Sequence, residues 1–343
     1  MDQSMEMLWS RPLHVRSSPT AVAATSDSLI VAERHSRLVR LDPSSGAPLW
    51  EQRVEDCWGT AVVAEERCLY LSQTGVLHCF DLCSGRRMWS TPGLRFHHYV
   101  SVSGTVVVLG GWRGYHPLMR VDLTDGTCLA GDPTFAPGIA LVWPLPLRLK
   151  PESGSAADAV LLASTSQPAL RLLDTRTGAE LGAWPLPAPV HCPDSGNAYR
   201  VGDDGRIVFI SGRRTVMAFH PASGVEVLWQ HERDLPPLPP ILSDGTLLLA
   251  GASCVTVVDL VNGGRTEVTS LSPGAACAAV AVPGGALFAR TDGDLITIDR
   301  VGRLRARVRL PAPIDGLFSG GGSLVHTIGK GHLTTLKVSS MQN

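Results

Sequence analysis

LVRLDPSSGAPLW (38–50) decides the fold. An aliphatic run ends in Asp42, Gly46 follows four residues later, and Trp50 four residues after that. An Asp at a strand end accepts from backbone N–H groups two residues on, and Gly supplies the positive φ of a tight turn. The Trp then contributes a broad apolar plate for packing against a neighbouring sheet. The same frame returns in LHCFDLCSGRRMW (77–89), with Asp81, Gly85 and Trp89. LMRVDLTDG holds Asp122 and Gly126, LRLLDTRTG holds Asp174 and Gly178, and VTVVDLVNG holds Asp259 and Gly263. VMAFHPASG puts His220 in the Asp position, LITIDRVG shortens the turn after Asp299, and LTTLKV places Lys337 there.

Successive steps between these positions are 39, 41, 52, 46, 39, 40 and 38 residues, which makes eight units. Alternation and turn residues divide each unit into four short strands, as in AVAAT, SLIVAER, RLVRLDP and PLWEQRV (21–54). The two ends are complementary. Leu8-Trp9 has the Trp step with nothing before it, and the last unit has the aliphatic run with no Trp strand after it. One repeat shared between the termini is how a ring of sheets closes. The expected fold is all-β: an eight-bladed β-propeller of four-stranded antiparallel blades, one domain over 1–343. Its N-terminal strand, about 6–14, completes the blade formed by about 311–338. PESGSAADA (151–159) reads as a solvated loop inserted into the fourth unit.

Val/Leu-x-x-Leu-Asp-x-x-x-Gly-x-x-x-Trp resembles the repeat of PQQ-like, or quinoprotein-type, β-propellers, best at Leu41-Asp42 to Trp50 and Phe80-Asp81 to Trp89. The resemblance implies an eight-bladed ring, used in some relatives by quinoprotein alcohol dehydrogenases and in another by an outer-membrane assembly lipoprotein that binds proteins. The dehydrogenases carry an adjacent Cys-Cys pair against their cofactor, and this sequence has no such dipeptide. The resemblance therefore transfers the fold and no site, and no cofactor is expected.

Composition excludes several classes. The formal charge is −1 and the arginines are dispersed, so no basic face for nucleic acid is expected. The first sixteen residues lack a basic start followed by an apolar stretch, and no run of 18 apolar residues occurs, so neither a secretory signal nor a membrane span is expected. The eight Cys show no CxxC pair and no metal-type spacing, which points to a reduced, cytoplasmic, monomeric protein.

In a four-stranded up-and-down blade, the loop entering the first strand and the loop between the second and third emerge on one face, opposite the Asp–Gly turns. That face collects Asp56 and Trp58, then Arg95, His97, His98 and Tyr99, then Trp112, Arg113, Tyr115 and His116. His191, Tyr199 and Arg200 belong to it as well, although Tyr199 and Arg200 lead into a strand, which also allows projection into the channel and favours a place at the core edge. Aromatic, Arg and His side chains over a funnel mouth suit an acidic protein loop or an anionic or planar ligand. The expectation is a non-catalytic interaction propeller gripping a protein partner or ligand there. The competing reading is an enzyme of hydrolase, lyase or cyclase type, with Asp56, His97 and His98 as acid–base candidates. HCPD (191–194) offers three ligand types on diverging positions, and no second cluster completes a metal site.

Overall fold

The computed structural model describes residues 5–13, 19–33, 37–54, 59–95, 97–111, 118–130, 140–149, 157–193, 197–202, 204–251, 254–268, 276–329 and 331–339. The strands assemble into eight antiparallel sheets arranged as the blades of a propeller, each in simple sequential order from the axis outward. Blade one runs Val22–Ala24, Leu29–Glu33, Arg37–Leu41 and Pro48–Arg53. The single helical element among the described residues is a 3-10 turn, Pro19–Ala21.

Period-two alternation feeds two interfaces at once. Ile30, Ala32 and Leu38 of blade one pack with Ala61, Cys68, Tyr70 and Phe80 of blade two. The intervening Leu29, Val31, Val39 and Leu41 pack the other way, onto Ile328 and Leu333 of blade eight. The core is thus a ring of sheet-to-sheet layers, and a one-residue slip in any strand would exchange its two neighbours.

The ring closes as expected. Met5–Pro12 is the outermost strand of blade eight and pairs antiparallel with His332–Val338, from Met5 opposite Val338 to Pro12 opposite His332. Buried Glu33 of blade one reinforces the joint by accepting from Arg11 at 2.8 and 2.9 Å.

The recurring Asp is a turn cap. One carboxylate oxygen of Asp42 accepts from the backbone N–H groups of Ser44 and Ser45 at 2.9 and 2.8 Å, and Asp81 accepts from Ser84 N–H at 2.7 Å. Hydrogen bonds from Ser44 and Ser45 hold the Asp42 carboxyl at about 2. His220 does the same work with a ring nitrogen, accepting from Ala222 N–H at 3.2 Å.

The Trp of each stapled blade sits at a β-bulge. Pairing steps from Arg40–Trp50 to Leu41–Pro48 and leaves Leu49 unpaired; Met88 and Leu8 are skipped in the same way. A bulge re-aims the next side chain, and here it turns the indole onto the following blade. Trp9 donates to Pro43 O at 3.0 Å, Trp50 to Leu82 O at 2.8 Å and Trp89 to Leu123 O at 3.0 Å. Each ring lies on the turn glycine of that blade. Gly85 has φ +70°, and a Cβ on it would stand 2.6 Å from the Trp50 ring, so both backbone and contact require glycine there.

Three local details depart from the regular plan. Blade three has three strands among the described residues, with a Val121–Cys128 bridge where a fourth would run. Its missing Trp is replaced by Arg120, 7% exposed, which donates to Thr175 O at 3.2 Å and packs on Gly178 of blade four. Of the segment read as a loop over 151–159, Ala157 to Ala159 begin the strand Ala157–Ala163. The inner edge of blade five is split into Val190–His191 and Arg200–Val201, both paired to Ile207–Ser211.

Candidate functional site

Because every blade has the same strand order, the starts of all inner strands lie on one face. His97 and His98 open the inner strand of blade three, His97–Ser103, and His191 opens that of blade five. Gly75, in a hairpin of blade two, shapes the approach. Its φ is +88°, its carbonyl accepts from Leu94 N–H at 2.8 Å, and a Cβ would fall 2.3 Å from Arg95 N. The turn therefore presents Arg95 outward, exposed, and His97 returns a ring nitrogen to within 3.3 Å of Leu94 O.

Behind these residues the strand is locked. Tyr99, 4% exposed, stacks on Trp143 with ring centroids 5.2 Å apart, and the His98 ring meets it edge-on at 5.5 Å. Trp143 donates to Val100 O at 3.0 Å, and Ser101 donates to Pro144 O at 2.5 Å, tying blade three to the start of blade four. Burial holds the His98 imidazole below the ordinary histidine range, so it is neutral at pH 7. His191 is also held low, first by burial and further by nearby Arg213, against a backbone hydrogen bond to Leu235 and the charge of Asp234, which raise it.

The register puts His97 opposite Gly111 and Tyr99 opposite Gly110, so the two segments singled out in blade three are neighbours where both are described. Trp112, Arg113, Tyr115 and His116 lie outside the described residues, as do Asp56 and Trp58. The proposed acid–base partner of the histidines, Asp56, is therefore not placed. Among the described residues no three His, Cys, Asp or Glu side chains gather to hold a metal ion.

Tyr199 and Arg200 stand apart from this face. Tyr199 belongs to the core of blades four and five, 4% exposed, edge-on to Phe209. Arg200 pairs opposite Val208, past the midpoint of the blade, and its side chain lies in the channel on the ring axis. That channel has a volume of about 510 Å³ and takes residues from all eight blades, mostly Ala, Val, Pro and Leu. Its walls carry no motif, being ordinary inner strands, so in the sequence only Tyr199 and Arg200 point toward it. Sequence reading missed Trp143, whose indole closes the gap between blades three and four.

Comparison with known proteins now has a structural frame. A family model described as outer membrane protein assembly factor BamB matches residues 4–129, the stretch that holds the three Trp–Gly staples. Over these residues the chain matches that family's repeat, and the fold of the whole is an eight-bladed β-propeller. Among solved structures, BamB from Moraxella catarrhalis is 15% identical with a TM-score of 0.74, covering 99% of both chains. Sqt1 from Saccharomyces cerevisiae is 9% identical with a TM-score of 0.73, covering 99% of this chain and all of that one. A quinohemoprotein alcohol dehydrogenase from Pseudomonas putida is 12% identical with a TM-score of 0.66, covering 99% of this chain and 77% of that chain. At such identities the likeness is one of fold. A search of curated protein sequences finds no match.

Among the described residues the donor set does not suit a quinone and its metal. The axial channel carries one arginine among its lining residues, and the described residues group no ligands for a divalent cation. A quinone bearing several carboxylates needs more cationic donors than one guanidinium.

Proposed function

We propose that this chain is a non-catalytic binding propeller whose loop face, around blade three, grips a protein partner in the cytoplasm. The observation that carries the reading is the Arg95–Tyr99 segment: an exposed cation and two half-buried imidazoles on a strand locked from behind by the Tyr99–Trp143 stack. Binding side chains held on loops by a rigid scaffold are the usual form of a recognition surface. Similarity to a protein named an outer membrane protein assembly factor supports the same reading. Free thiols among the described cysteines, with Cys68 and Cys79 buried, support the cytoplasmic setting of this reading.

The test is purification of the intact protein from its native cell, with the Arg95→Glu/His97→Ala double variant and Arg176→Glu, exposed on the opposite Asp–Gly turn face, as control. A stoichiometric protein retained by the control and lost by the double variant is expected. Retention by the double variant would move the site elsewhere. A co-purifying metabolite that the protein turns over would favour the hydrolase, lyase or cyclase reading.

A further inference from the structure

The axial channel holds a charge that the binding reading does not use. Arg200 extends from blade five past blade six. It donates through Nη1 to Asn197 Oδ1 at 3.2 Å and to Tyr199 O at 2.9 Å, and through Nη2 to Ala279 O of blade seven at 3.0 Å. All three acceptors are neutral. Two N–H groups remain, on Nε and Nη2, the two nitrogens of one guanidinium edge. No carboxylate lies within 4.0 Å of this side chain among the described residues. The other charged lining residue, Asp315, is exposed at the start of the inner strand of blade eight and forms no ion pair with it. Tyr199, on the same wall, is 4% exposed and its hydroxyl has no hydrogen-bond partner.

Arg200 is half-buried and met only by neutral oxygens, and a guanidinium so placed gains from an anion of matching geometry. Burial accordingly draws the Arg200 guanidinium down to about 10. The walls say what kind of anion. Val62, Val100, Trp143, Leu238, Leu317 and Phe318 surround the space with apolar surface, which a bare inorganic ion would not fill. The volume of about 510 Å³ falls within the ~300–1,000 Å³ of small-molecule pockets.

We infer that the axial channel is a binding site for a small monocarboxylate with an apolar body, its carboxylate on the free edge of Arg200 and its body against Trp143 and the Val/Leu walls. The site is independent of the loop-face reading: either can fail while the other stands.

Octanoate, paired with its uncharged analogue octanamide, is the probe, and Trp143 is the reporter. Saturable quenching by octanoate is expected in the intact protein, at least tenfold tighter than octanamide, and absent in Trp143→Phe. Arg200→Met should erase the preference between the two, and Arg200→Lys should keep part of it. Equal binding of acid and amide, or no saturable binding of octanoate below about 10 mM, would overturn the inference. So would a preference that survives in a folded Arg200→Met. Because Arg200 also bridges blades five and seven, Arg200→Met is judged only if its melting stays cooperative. If it does not, the acid-to-amide ratio in the unaltered protein, read through Trp143, decides alone.

Discussion

Blades one to three and blades six to eight differ in how their outer rims are held, between blades in the first group and chiefly within the blade in the second. In the first group an indole from one blade lies on the turn glycine of the next and donates to its carbonyl, three times in succession around the closure. Among the described residues, no turn glycine of the second group receives an indole in this way. Trp229 of blade five leaves its ring N–H without a partner, and the space above Gly263 is empty within 4 Å. Blade seven instead carries arginines at alternate positions 303, 305, 307 and 309. They hold Asp299 and buried Asp294 of the adjacent strand, with Arg303 at 2.9 Å and Arg305 at 2.6 Å from Asp299. Arg300 adds an ion pair to Asp244 of blade six. Apolar layers persist throughout: Leu287, Leu295, Leu317 and Leu336 pack blades seven and eight. The difference therefore lies at the rim. Sheet-to-sheet packing is the invariant of the fold, and the outer fastening is free to change.

The largest effect expected is at Asp294. Its 1%-exposed carboxylate meets Arg290, Arg307 and Arg309, so Asp294→Ala should destabilise by about 4 kcal/mol by stranding buried positive charge. A loss below about 1 kcal/mol in chemical denaturation would show that the ladder does not fasten its blade. Next comes the staple itself. Trp50→Ala should cost about 3 kcal/mol and Trp229→Ala at least about 1 kcal/mol less, since only the first loses a hydrogen bond and a glycine contact. Equal losses would erase the distinction between the two groups.

The smallest of the three is a pH effect confined to blade eight. His326 is fully buried, with one ring nitrogen 2.7 Å from Thr335 Oγ1, and burial draws its pKa down to about 4. The unfolded chain takes up a proton near the ordinary histidine value of about 6.5 while the folded chain does not. Stability is therefore full above that value and falls as pH drops, by about 2 kcal/mol at pH 5. His326→Gln should flatten this slope between pH 6.5 and 4, read from denaturation midpoints; an unchanged slope would assign it to other groups.

Much of this was legible in the chain. Asp42, Gly46 and Trp50 announce themselves by type and spacing because each supplies something few residues can: a cap, a positive φ, a wide plate. The ring closure was legible for the same reason, through Trp9 and the strand before Lys337. Arg120 was not, because an arginine that replaces an indole leaves no pattern; its meaning lies in where Thr175 and Gly178 arrive from fifty residues away. Tyr199 and Arg200 were singled out by type, with the channel or the core edge as their expected place, and Arg200 lines the channel while Tyr199 lies in the core. HCPDSGNAYR (191–200) has no alternation, so nothing in it reveals that the inner edge of blade five breaks and re-forms.

The strand that closes the ring also sets how it would yield under load. Met5 lies beside Val338, so both ends of the described chain leave the closure at the same place. A force drawing them apart would act on one rung at a time, parting Met5 from Val338, then Glu6 from Lys337, and so on toward Pro12, as a zip opens. A shearing geometry would stress all the rungs together. The joint that completes the disc is therefore its weakest in tension between its own ends, and strong against forces applied anywhere else on its rim.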